Sequence, residues 1–170
     1  MNVNDDFMAK VLEDSAWEEL SEWFGWSELL LEKFQEKVHW KKISENGLII
    51  WTASMLEKFK KEIDWDLLSL SAGENILTLN NLEKYRNYWN WTNLSSNHNV
   101  SFSLDVIDQF ARNWNWGDLI MNYRLSDLFC EDFLNKYSQY IPPSSLQHSN
   151  LWKDLVEKRK NDLIRKVILA

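Results

Sequence analysis

The chain has 170 residues, 45% apolar and 26% charged, with a net charge of −7. This is enough material for a hydrophobic core and an ordinary composition for a soluble globular protein. Four glycines and two prolines argue against turn-rich β architectures. A lone cysteine, Cys130, excludes an internal disulfide framework and suits a reducing cytoplasm.

Charge is uneven along the chain. Residues 1–85 hold nine lysines against seventeen carboxylates, an excess that repels nucleic-acid phosphates and draws basic partners. No apolar run reaches the ~18–20 residues of a membrane span. The opening MNVNDDFMAK lacks the cationic and apolar parts of a secretory signal. A cytoplasmic location without membrane contact is therefore expected.

The predicted elements begin with a helix in residues 1–16, in which Phe7 and Val11 match Leu30 and Phe34 further on. From Trp17 a repeat takes over, and eleven tryptophans mark its register. Phe34, Phe59, Tyr85, Phe110 and Tyr137 recur at spacings of 25, 26, 25 and 27, each closing a phrase such as LEKF, LEKY, IDQF or LNKY. Six residues after each comes an anchor: Trp40, Trp65, Trp91, Trp116 and then Pro143, with Trp17 one repeat earlier. Three residues beyond the anchor lie Leu20, Ile43, Leu68, Leu94, Leu119 and Leu146, followed in four repeats by Ser21, Ser44, Ser69 and Ser95.

Each repeat reads as two helices. Ser27, Thr52, Thr78 and Ser103 stand where a side-chain oxygen can cap the first, with Cys130 in the same column. Apolar residues at helical spacing, such as Met55, Leu56 and Phe59, then predict about three turns. Asp64, Asn90 and Asn115 cap the second helix, with His39 in that column, and Pro143 fits its first position. Asn46, Asn97 and Asn122 are expected to end it, because asparagine tolerates a left-handed backbone. Residues 147–170 read as a closing amphipathic helix, with Leu151, Leu155, Leu163 and Val167 on one face. The expectation is one all-α domain over residues 1–170, an α-solenoid of about five to six short helix–turn–helix repeats (17–146) with capping helices in 1–16 and 147–170.

The phrase W-x-x-[LI]-S-x-N, then an aromatic and LEKF-x5-W, is clearest over Trp40–Trp65 and Trp91–Trp116. It resembles Trp-rich repeats of about 25 residues found in uncharacterised bacterial proteins and, more loosely, in large DNA viruses. The resemblance covers roughly residues 17–146 and implies a helical array with an interaction role. It carries no catalytic residues. The pattern is broken at Trp23–Gly25, at Ala72–Gly73, at Ile120 and at Pro143.

Candidate chemistry is sparse. His39, His98 and His148 have no metal-ligand spacing, and no phosphate-cradling or nucleophile motif occurs, so no enzyme activity, cofactor or metal is expected. Cys130 reads as a small polar stand-in at a helix start. Trp23 and Trp152 fit no column and are the candidates for surface aromatics. The expected function is a protein-binding module, in its sharpest form an immunity- or antitoxin-like inhibitor of a basic effector. Glu18, Glu19, Glu22, Trp23, Glu45, Asp64 and Asp66 are the candidate partner-binding residues. The alternative is a carbohydrate or nucleotide module using exposed aromatics.

Overall fold

A computed structural model of the chain describes residues 3–168, with side chains from Phe7 onward. Among the described residues there are twelve α-helices, one 3-10 turn and no strand. The fold is an all-α, solenoid-like repeat in which short helices pack on sequence neighbours. The chain divides into two compact units, Met1–Trp89 and Asn90–Ala170.

The first unit contains α1 (Val3–Trp23), α2 (Glu28–Phe34), α3 (Trp40–Glu45), α4 (Ala53–Lys58), α5 (Trp65–Ser71) and α6 (Leu79–Lys84). Helix α1 packs on α3, and α3 on α5. The second unit contains α7 (Trp91–Ser96), α8 (Leu104–Gln109), α9 (Trp116–Leu119), a 3-10 turn (Tyr123–Leu125), α10 (Glu131–Tyr137), α11 (Pro143–Leu146) and α12 (Asn150–Ile168). There α7 packs on α9.

The caps fall where the sequence puts them. Ser27, Thr52, Thr78 and Ser103 accept the backbone N–H three residues on, as do Asp64, Asn90 and Asn115. His39, Cys130 and Pro142 take the cap position without a side-chain bond. The column before the anchor also explains α1. Ala16 stands there and cannot cap, so the helix expected to stop at residue 16 runs through Trp17 to Trp23.

Other expectations are corrected. The first helix of each repeat spans six or seven residues rather than three turns. In the middle repeats its aromatic leaves helical geometry. Phe59 sits at φ −108°, and its carbonyl accepts both Glu62 and Ile63 N–H, turning the chain toward the second helix. No described residue has positive φ, so the asparagines are not left-handed caps. Asn46 is extended and buried. Its amide donates to the carbonyls of Ser21 at 2.8 Å and Phe24 at 2.9 Å, one repeat back, while its oxygen accepts Leu48 N–H. Asn122 likewise donates to the Ser95 carbonyl at 3.0 Å. Where Asn gives way to Ser71, the hydroxyl donates to the Ser44 carbonyl.

The serine column is a relay between repeats. Ser21, Ser44, Ser69 and Ser95 are fully buried. Each hydroxyl donates to the carbonyl of its own anchor tryptophan at 2.6–2.7 Å. Ser21, Ser44 and Ser95 also accept the backbone N–H of the next repeat's cap residue: His39 at 2.9 Å, Asp64 at 2.9 Å and Asn115 at 3.0 Å. The repeat that lacks the serine has fully buried Ile120 in its place. The residue in the next cap position is then Pro142, which has no N–H to offer. The apolar substitution and the missing donor occur together, so no buried polar group is stranded.

Aromatic packing runs through the same joints. Each anchor indole lies against the aromatic of the following repeat: Trp17 on Phe34, Trp40 on Phe59, Trp65 on Tyr85, Trp91 on Phe110 and Trp116 on Tyr137. Centroids are 4.8–5.4 Å apart and the planes tilt by 33–45°. Trp65 and Trp116 are buried, whereas Trp17, Trp40 and Trp91 are half-buried, so the anchors are not uniformly enclosed. Helix α12 meets its unit through its first half, where Lys158 donates to the Phe129 carbonyl and Arg159 faces Glu131. Leu151 is fully buried and donates its N–H to the Ile120 carbonyl, but Leu163 and Val167, which share its face by spacing, are exposed.

Replacing Ser44 with Ala removes the buried hydroxyl that accepts the half-buried Asp64 N–H at 2.9 Å, and should cost about 1–3 kcal/mol. Thermal unfolding of the variant checks this, and an unchanged midpoint contradicts the relay. Trp65→Ala should cost about 3–5 kcal/mol in the same assay, whereas Trp23→Ala, at a site 68% exposed, should leave the midpoint nearly unmoved.

Candidate protein-binding face

Successive packing of α1, α3 and α5 brings the second helix of three consecutive repeats side by side. Counted from the anchor tryptophan, Glu18 and Asp66 hold the same position, and so do Glu22 and Glu45. Glu18, Glu19, Glu45 and Asp66 are exposed, and Glu22 and Asp64 are half-buried. The acids singled out from the sequence thus belong to neighbouring helices of one unit. They are not equally available. Asp64 is engaged in capping, its carboxylate accepting Leu67 N–H at 3.2 Å. Lys42 joins Glu22 at 2.7 Å to Glu45 at 3.6 Å, and its ammonium is held above the usual lysine range mainly by the hydrogen bond to Glu22.

Trp23 closes α1 one turn beyond Glu19 and is 68% exposed. It occupies the column that Asn46 and Asn122 fill later, but it does not turn inward as they do. Phe24 follows it, exposed at its edge and packed edge-to-face on buried Trp26 at 5.2 Å. The bond from Asn46 to the Phe24 carbonyl holds the 46–50 loop beside residues 23–25. Leu48 and Ile50 of that loop are exposed, while Ile49 and Trp51 are buried. Phe24, Leu48 and Ile50 were missed in the sequence. Burial alternates from Leu48 to Trp51, but no spacing in the sequence announces it, because Asn46 and Phe24 meet one repeat apart.

The first helices carry a different set of charges. Lys58 reaches Glu28 at 2.9 Å and Glu32 at 3.0 Å, one repeat back. Lys84 meets Glu57 at 2.9 Å, and the Tyr85 hydroxyl donates to the same carboxylate at 3.0 Å. Lys136 and the Tyr137 hydroxyl hold Asp108 in the same way, at 2.7 and 2.8 Å. Hydrogen bonds from Lys60, Lys84 and Tyr85 lower the Glu57 carboxyl to about 2. These exposed pairs set the register between repeats more than they add stability.

Among the described residues, no group of three or more His, Cys, Asp or Glu could hold a metal. His39 lies 3.4 Å from Asp14, His98 and His148 are exposed, and Cys130 is exposed at the start of α10. Trp152, like Trp23, is exposed. A groove of about 260 Å³ on the first unit is lined by Trp17, Leu20, Phe24, Trp26, Leu30 and Phe34. No helix is long and apolar enough to cross a membrane among the described residues. No family model, no curated protein and no solved structure matches the chain.

Because Glu57 is lowered in the folded chain, its contribution to stability is complete above its unfolded value of about 4.5 and is lost as pH falls toward 2. Glu57→Gln should therefore be less stable than the parent at pH 5 and converge with it near pH 2, as read from urea unfolding across that range. A difference independent of pH would contradict the assignment.

Proposed function

We propose that this chain is a non-catalytic protein-binding module that captures a basic protein in the cytoplasm, in the manner of an immunity or antitoxin protein neutralising a basic effector such as a nuclease. The observation that carries this reading is the exposed cluster of Trp23, Phe24 and Leu48 at the ends of α1 and α3, helices that also carry Glu18, Glu19, Glu22 and Glu45. Interfaces draw most of their energy from a few large aromatic anchors inside a polar rim. Carboxylates around such an anchor speed the approach of a cationic partner and select against acidic ones. The resemblance to Trp-rich repeats with an interaction role agrees with this reading.

A carbohydrate or nucleotide module is the weaker alternative. Such ligands need polar groups set among the rings to orient them. The groove beneath Phe24 is lined by six apolar residues, which suits a protein side chain better.

Affinity purification of the tagged chain from its source cell, at low and high salt, tests the proposal. The expected result is one basic protein, released as salt screens the charges. Its growth inhibition in a heterologous bacterium should be relieved by this chain, and not by a Glu18→Lys, Glu22→Lys, Glu45→Lys variant with an unchanged helical spectrum. Relief by the variant equal to that by the parent would reject the acidic face. A partner of acidic character would reject the class.

A further inference from the structure

We propose that the chain associates head to tail, the basic end of α12 of one molecule docking along the first turns of α1 in the next. Two helical surfaces are left uncovered. On α1, Phe7 (64% exposed), Met8, Val11 and Leu12 (65%) form a stripe spaced i, i+1, i+4, i+5. On α12, Leu163, Ile164, Val167 (78%) and Ile168 (75%) repeat that spacing. Each is an apolar seam two turns long, the pattern by which one helix packs along another.

The charges around the two seams are opposite. Over its whole length α1 carries seven carboxylates and one lysine, although Glu18, Glu19 and Glu22 lie beyond the seam, and α12 carries six cations and three carboxylates. Beside the α12 seam stand Lys160, Arg165 and Lys166. Beside the α1 seam stand Glu13, in a solvent-exposed ion pair with Lys37, and Asp14, 3.4 Å from His39 Nε2. A groove of about 530 Å³ runs along this side of α1, lined by Phe7, Val11 and Trp17, by the carboxylates of Glu13, Asp14 and Glu36 and by Lys10 and Lys37, and offers a seat for the incoming side chains.

Two different surfaces that complement one another make a heterologous contact, which extends into chains of molecules unless it closes into a ring. A basic amphipathic helix could instead lie on an anionic lipid surface. That occupant would leave the acidic apolar seam of α1 unexplained, and a second molecule accounts for both seams. The stretch of α1 involved, Phe7–Asp14, precedes Glu18–Trp23, so this inference stands apart from the proposed partner face.

Sedimentation equilibrium of the full chain and of two exposed-site variants provides the test. Val11→Glu with Leu12→Glu blocks the α1 seam, and Ile164→Glu with Val167→Glu blocks the α12 seam; circular dichroism verifies that both stay helical. The parent should grow in mass with concentration and shrink with added salt. Each variant alone should stay monomeric, with self-association weakened roughly tenfold or more. An equimolar mixture should form a two-molecule species and nothing larger, because one free seam remains on each partner. A parent monomeric at every soluble concentration, variants that assemble unaided, or a mixture that stays monomeric would overturn the inference. So would a monomeric parent that sediments with phosphatidylserine-containing vesicles, which would give the α12 seam to lipid.

Discussion

Each anchor indole leans on the aromatic ring that ends the first helix of the next repeat, and the shortness of the helices makes this contact indispensable. Helices of four to seven residues do not persist in water by their own hydrogen bonds. What holds them is burial of large side chains, about 1.5–3 kcal/mol each, and aromatic pairing of about 0.5–1.5 kcal/mol beyond that. Five such pairs recur with nearly constant distance and tilt. Stability in such an array is a sum over joints between neighbours, not the property of one shared core.

Polar groups at the joints turn packing into register. A serine hydroxyl satisfies its own helix and the following cap, and an asparagine reaches back to carbonyls of the previous repeat. Both are buried, where an unpaired polar group is costly, so each joint accepts one alignment. The Ile120 and Pro142 exchange gives the same rule in the negative: the hydroxyl disappears where there is no N–H for it to receive.

The two-helix repeat, its caps and its hydrophobic columns were legible in the sequence because they depend on local chemistry at fixed spacing. Ser27, Thr52 and Asp64 announce their helices through side-chain oxygens, and Leu56 or Leu68 announces its face through periodicity. Other features were set by partners that spacing does not reveal. Asn46, which recurs as Asn97 and Asn122, read as a helix terminator, but its amide is used one repeat away. The α12 pattern put Leu151, Leu155, Leu163 and Val167 on one face, but of these only Leu151 is fully buried. Of the candidate surface, charge and the unmatched Trp23 were visible, whereas Leu48 and Phe24 depend on where one loop passes another.

A repeat held at its joints leaves its outer faces free to vary, and this separates the buried columns from the exposed acids and aromatics assigned to partner capture. The most direct measurement of the joint is a double-mutant cycle on Trp40 and Phe59, whose rings stand 5.1 Å apart. Unfolding free energies of Trp40→Ala, Phe59→Ala and the double variant should be non-additive by about 0.5–1.5 kcal/mol. Additivity within error would mean that the rings do not stabilise one another, and that something else holds the repeats together.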